Sequence, residues 1–195
     1  MTNILLESAR GLQLVPIGDE LLRNRQVFLE GEVNAESCGN IIKQLMYLEN
    51  ADNSKEISLY INSPGGSVSD GLALYDAIML MKAPIRTVCT GICASMGAII
   101  FLAGKKREMM RHGKIMIHDP SYGRRDMGGK KPHEIQTELD DLNRVRESLA
   151  ELIAERTKRS IEEIYSITAD DTYYGAREAV DFGLATGVIT KKGGL

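Results

Sequence analysis

The sequence predicts an α/β fold whose strands pair largely in parallel, and three observations carry that expectation. Strand-like runs alternate with helix-like runs from about residue 26 onward. Two small-residue stretches, "SPGG" at 63–66 and "GICA" at 91–94, each lead straight from an extended run into a helix-like one. A chain of 195 residues, 43% hydrophobic and 26% charged, is long enough to bury one full core and requires no second domain.

Taken in order, residues 1–25 mix "ILLES", "LQLVPIG" and "ELLRN" without a sustained period and read as an arm. "QVFLEGEV" alternates as a strand does, and "AESCGNIIKQLMYLEN" repeats apolar residues at three and four spacing, as an amphipathic helix requires. "EISLYIN" is a second strand, stopped by a proline and two glycines. "SVSDGLALYDAIMLMK" is the next helix, with Ser67 or Ser69 as its cap. "IRTVCT" reads as a third strand, "GICA" as a turn, and "SMGAIIFLAG" as a very apolar helix ending in glycine. A basic turn, a short strand around "KIMIHDP" and a polar glycine-rich stretch at 121–131 lead to a helix from about Pro132 to Thr157, the longest element. The chain closes with "SIEEIYSI", a polar "TADDTYYGA", a short helix "REAVDFG" and a terminal strand "GVIT".

Net charge is −3, and the pairs Lys105-Lys106, Arg124-Arg125 and Lys130-Lys131 have acids close by, so a nucleic-acid partner is not expected. Cys38, Cys89 and Cys93 are odd in number and two lie in apolar stretches, as free buried thiols do, which favours a reducing compartment. The opening residues lack the uninterrupted apolar core of a signal peptide and no run approaches a membrane span. The expectation is a cytoplasmic protein without a membrane partner.

Ser95 stands among small residues at the mouth of the apolar helix, where a serine either caps the helix or serves as a nucleophile. A nucleophile needs a base, an orienting carboxylate and backbone donors elsewhere in the chain. The histidines are His112, His118 and His133; His118 differs in closing the apolar strand "KIMIH" before a proline. Asp170 and Asp171 in "TADDTYY" are candidate acids, with Asp119 and Asp181 as outsiders; Asp119, adjacent to His118 on a strand, should point the other way. Glycines in "SPGGSVSDG" allow close backbone approach to a developing oxyanion. The stretch lacks the Gly-Lys-Ser/Thr of a Walker loop, and Cys93 replaces the first glycine of a G-x-S-x-G elbow. Pattern alone favours the plainer reading of Ser95 as a cap.

The strings "YINSPGGSVSDGLALYDAI", "GICASMGAIIFLAG", "IMIHDP" and "GAREAVDFGLATGVI" resemble, in order from about Val27 to Ile189, the proteolytic subunits of the Clp protease (ClpP) family. The resemblance implies a crotonase-like α/β spiral of parallel strands with flanking helices and a protruding handle at about 121–157. Residues 1–25 would be an axial arm and 26–195 a single protease domain. It implies a serine endopeptidase with nucleophile Ser95, base Asp-oriented His118 and acid Asp171, and with oxyanion donors at the N–H of Gly66 and Met96. It also implies no metal and no cofactor, ATP being used only by the partner. The implied partners are unfolded polypeptides, an AAA+ unfoldase of the ClpX, ClpA or ClpC kind, and further copies of the chain or a paralogue in seven-membered rings stacked around a closed chamber.

Three departures accompany the resemblance. The family's Arg-Asp-Arg run around the acid is Asp170-Asp171-Thr172 here, which reverses one ring-pairing charge and removes another. The segment "SYGRRDMGGKKPHEI" is more basic than usual, so that Arg124, Arg125, Lys130 and Lys131 are candidates to replace the lost arginines. In the expected unfoldase groove Tyr60 is kept, but Ser58 and Glu108 fall where larger apolar side chains are usual. These departures motivate a second reading, a paralogue that is silent or active only with a partner ring or unfoldase. An acyl-CoA enzyme of the wider crotonase superfamily is a third and weaker one, because that chemistry does not need the full Ser, His and Asp set.

Overall fold

In the computed structural model, which describes residues 2–8, 11–121 and 129–191, the core is a mixed sheet with helices packed on it. The strands β3 (Gln26–Glu30), β4 (Ile57–Ser63), β5 (Ile85–Ala94), β6 (Lys106–Met110) and β9 (Gly187–Ile189) lie side by side in that order, all parallel. β7 (Lys114–Ile117) pairs in parallel with the far end of β5, and β8 (Thr172–Gly175) pairs antiparallel with β7. The helices α2 (Ala35–Ala51), α3 (Val68–Leu80) and α4 (Met96–Leu102) form the crossovers that parallel pairing demands. α5 (Pro132–Thr157), α6 (Ile161–Thr168) and α7 (Ala176–Phe182) complete the fold.

Local chemistry starts and stops these helices. Asn34 Oδ1 accepts from the N–H of Glu36 and of Ser37 at 3.0 Å, and Ser37 Oγ accepts the Asn34 N–H in return, a reciprocal cap for α2. Ser67, of the two serines the sequence offered, caps α3 by accepting the Asp70 N–H. The apolar faces meet in one core in which Leu29, Leu45, Leu59, Leu74, Phe101 and Leu102 are fully buried. α4 is buried along its whole length, whereas the buried residues of α5 all fall between Leu149 and Thr157, leaving its first half to project.

The structure corrects the reading of four segments, of which the polar "TADDTYYGA" holds the short strand β8 already given. β1 (Asn3–Ser8) and β2 (Gly11–Pro16) pair as an antiparallel hairpin, followed by α1 (Ile17–Arg23). The hairpin leaves Leu5, Leu12 and Leu14 exposed, so no buried face imposes an alternating pattern. "GICA" is not a turn but the end of β5, entered through a bulge: Cys89 pairs with Ile61 and Cys93 with Ser63, so four steps on β5 span two on β4. Asn62 Oδ1 accepts the Ile92 N–H at 3.0 Å and secures the bulge. The basic turn contains β6, disguised because buried Arg107 spends its guanidinium on the carbonyls of Leu184 and Gly183.

Cys38, Cys89 and Cys93 are free and buried. Among the described residues, no helix is long and apolar enough to cross a membrane.

Candidate active site

β5 ends against β7, where Ala94 is paired with Met116 and the Ser95 N–H donates to the Met116 carbonyl at 2.9 Å. α4 starts at the next residue, so the chain reverses at Ser95 itself, with φ 52° and ψ −123°. A non-glycine residue held there costs on the order of 1–3 kcal/mol, tolerated because the buried helix and the ladder fix both sides. A capping serine has extended backbone angles and accepts from the first helical N–H groups. Ser95 has neither feature, since its side chain makes no cap hydrogen bond. The cap reading fails on geometry.

His118 follows β7 and lines one narrow cleft with Ser95, along with Val68, Met96, Ile99, Pro120 and Ile153. Asp171 immediately precedes β8. The antiparallel register pairs Ile117 with Thr172, and extending it by one residue sets His118 opposite Asp171. His118 Nδ1 stands 4.0 Å from Asp171 Oδ1, within ion-pair reach and beyond hydrogen-bond length. The Asp171 side chain is 63% exposed and that of His118 25%.

The other candidates lie elsewhere. His112 is exposed in the turn after β6, and His133 is exposed in the first turn of α5. Asp181 is exposed on α7, and Asp170 is exposed beside Asp171. Asp119 does point away from Ser95, toward α5 and α6, where its carboxylate meets Thr168 and Arg146.

The "SPGG" loop approaches Ser95 from β4. A Cβ on Gly65 would lie 2.7 Å from Ser95 Cβ and 3.1 Å from Met96 N, so only glycine permits the approach. Gly66, at φ +148°, runs beside Val33: the Val33 N–H donates to Gly65 O and the Ser67 N–H to Val33 O, both at 2.8 Å. Those bonds leave the Gly66 N–H without an acceptor among the described residues. Met96 opens α4, so its N–H has no intrahelical acceptor either. Ser63 Oγ, fully buried, braces the loop by accepting the Gly65 N–H at 3.1 Å, a role no local motif announces.

Two residues before Ser95, burial pushes the Cys93 thiol well above its ordinary pKa and keeps it a neutral apolar group. Among the described residues no three His, Cys, Asp or Glu side chains form a group that could hold a metal ion.

Residues 9–192 match the sequence profile described as Clp protease. The chain belongs to the Clp protease family. It is 40% identical to the ATP-dependent Clp protease proteolytic subunit 1 of Prochlorococcus marinus subsp. pastoris strain MED4, covering 98% of this chain and 97% of that one. It is 39% identical to the subunit of the same name from Prochlorococcus marinus strain NATL2A, covering 97% and 95% respectively. Clp proteases are peptide hydrolases of the serine type, and the α/β architecture with its parallel sheet is the Clp protease fold.

Two of the charged residues singled out in the sequence, Lys130 and Glu108, form local ion pairs. Lys130 Nζ reaches Glu138 Oε1 of its own α5 at 2.7 Å, while Arg124 and Arg125 lie outside the described residues. On the sheet Tyr60 of β4 stacks on the exposed Phe28 of β3, ring centres 5.0 Å apart. Beside them Glu108 pairs with Arg86 at 2.6 Å and Lys106 at 3.2 Å. Burial opposes ionisation of Glu108, but hydrogen bonds from Arg86 and Lys106 prevail and hold its pKa below the usual value.

Proposed function

We propose that this Clp protease cleaves peptide bonds with Ser95 as nucleophile, His118 as general base and then acid, and Asp171 as the orienting carboxylate. The observation that carries the reading is the backbone of Ser95: a strained, uncapped serine at a strand-to-helix reversal, opening into the cleft that His118 lines. Asp170 is passed over because the β7–β8 register favours its neighbour.

The chemistry follows from the placement. A peptide carbonyl enters beside Ser95 Oγ; His118, with Nδ1 toward Asp171, has Nε2 free to take the serine proton as the oxygen attacks. Negative charge develops on the carbonyl oxygen, and the N–H groups of Gly66 and Met96 receive it. Donors of this kind contribute roughly 3–4 kcal/mol each to lowering the barrier. His118 passes its proton to the leaving amine, and water then releases the acyl group by the same steps in reverse order. The apolar walls of the cleft favour an apolar side chain next to the cleaved bond. No metal or cofactor takes part.

The proposed setting is cytoplasmic: unfolded chains delivered by an AAA+ unfoldase into a chamber of stacked rings. α5 projects as a handle suited to ring contacts, and the hairpin β1–β2 as an axial arm. The ion pairs around Glu108 make that part of the sheet more polar than a standard unfoldase groove. A second reading, activity only with a partner ring or unfoldase, is favoured by the exposed Asp171 at 4.0 Å from His118.

The test is hydrolysis of a fluorogenic peptide by the purified chain and by Ser95→Ala. The expected result is turnover by the parent alone. Equal turnover by both would exclude the mechanism, and turnover only after adding a second ring component would select the second reading.

A further inference from the structure

The site just described sits inside a short closed circuit of chain, and one side of that circuit is made by a residue with no role in the triad chemistry. On one side of His118 and Asp171, the β7–β8 ladder joins Ile117 to Thr172. On the other, the Asp119 N–H donates to the Thr168 carbonyl at 2.6 Å, and Thr168 Oγ1 donates to Asp119 Oδ1 at 2.6 Å. Residues 117–119 and 168–172 are thereby fastened at both ends, with His118 and Asp171 facing each other between the fastenings.

The second oxygen of Asp119 is used as well. Oδ2 stands 2.7 Å from Arg146 Nε on α5, a charge contact without hydrogen-bond alignment, and the same guanidinium lies 4.4 Å above the Tyr165 ring on α6. One carboxylate thus joins the β7 end, the α6 end and the long helix. Thr168, at 4% exposed, sits in the core, so the fastening has a rigid base.

We propose that Asp119 is a positioning residue of this protease: it sets the His118–Asp171 separation by clamping the end of β7 to the end of α6, and Arg146 links that clamp to α5. The inference rests on the triad reading above. Its leverage comes from the 4.0 Å separation, where a shift of about 1 Å separates a hydrogen-bonded pair from a loose one. Only a carboxylate serves both neighbours. Asp119→Asn keeps one acceptor for Thr168 and loses the charge for Arg146, and Asp119→Ala loses both.

The test measures the rate at which a fluorophosphonate acylates Ser95, together with kcat and KM for a peptide. It compares the full chain carrying Asp119→Ala or Arg146→Ala, each alone and each combined with Asp171→Ala. The expected result is a fall of about 10- to 100-fold in acylation rate and kcat for Asp119→Ala, with KM unchanged and a smaller fall for Arg146→Ala. In the Asp171→Ala background the Asp119→Ala loss should shrink below about 3-fold, because there is no longer an acid to position. Should Asp119→Ala not fold, Thr168→Val removes the hydroxyl alone and Thr168→Ser restores it. Equal losses in both backgrounds would make Asp119 merely structural, and no loss in either would remove its role; both overturn the inference while leaving the triad intact. A parent chain that reacts at Ser95 neither alone nor with a second ring component overturns the triad reading and this inference together.

Discussion

Ser95 and Asp171 stand at opposite ends of one proposed triad, and the fold treats them differently. Ser95 is held between a ladder hydrogen bond to Met116 and a helix buried from its first residue to its last. Asp171 sits at the mouth of a short strand paired only with β7 among the described residues, its side chain 63% exposed and not hydrogen-bonded to His118. The proposed nucleophile and its backbone donors are therefore set by the core around them, whereas the proposed acid is held only through the fastenings on either side of it. If the triad is as proposed, its attacking end should be complete in the folded single chain, and its orienting end should be the more sensitive to neighbouring contacts.

The largest effect expected of that contrast is at the buried end. Ser95→Ala should lower kcat by at least about 10⁴-fold while leaving the thermal midpoint near that of the parent, read by peptide hydrolysis and calorimetry. Gly66→Ala comes next: its Cβ would lie 2.3 Å from the Val33 carbonyl oxygen, so the loop must move. Losing that donor should cost about 10²- to 10³-fold in kcat with little change in KM. At the exposed end, Asp171→Asn should cost only about 10²-fold, less than the roughly 10⁴-fold lost when the acid is tightly bonded. A full 10⁴-fold loss would mean that the working enzyme closes the 4.0 Å gap.

The smallest effect lies away from both ends. Because the folded Glu108 carboxyl titrates below its ordinary value of 4.5, the stability it contributes is present above that value and is lost as pH falls through the lower folded one. Glu108→Gln should destabilise the chain by roughly 1.5–3 kcal/mol at neutral pH, since it removes the charged acceptor of the Arg86 hydrogen bond. Denaturant melts from pH 7 to pH 3 should show a flatter acid limb in the variant. An unchanged limb would place the pair among ion pairs that contribute nothing.

Legibility in the sequence followed the same division. The strand-to-helix junctions at "SPGG" and "ASMGA" are local strings whose places in the chain could be read from residue type, but pattern pointed to a cap at Ser95, and only the resemblance assigned it the part of nucleophile. The place of α5 could be read too, found between the residues expected of it. Pattern could not choose Asp171 over Asp170, because two adjacent acids in a polar stretch differ only in which faces His118, and that is set by the β7–β8 register. β6 went unread because the buried Arg107 breaks its apolar alternation, and β8 because it is a short polar strand. The Asp119–Thr168 contact joins residues 49 positions apart and leaves no trace in any local window.

The measurement that bears most directly on the account is fluorophosphonate labelling of the full chain, with the adduct located by mass spectrometry of its peptides. A single adduct on Ser95, absent from Ser95→Ala, is the result predicted for a nucleophile assembled by the core of one chain. A folded protein that carries no adduct at Ser95, or whose adduct survives Ser95→Ala, would contradict it.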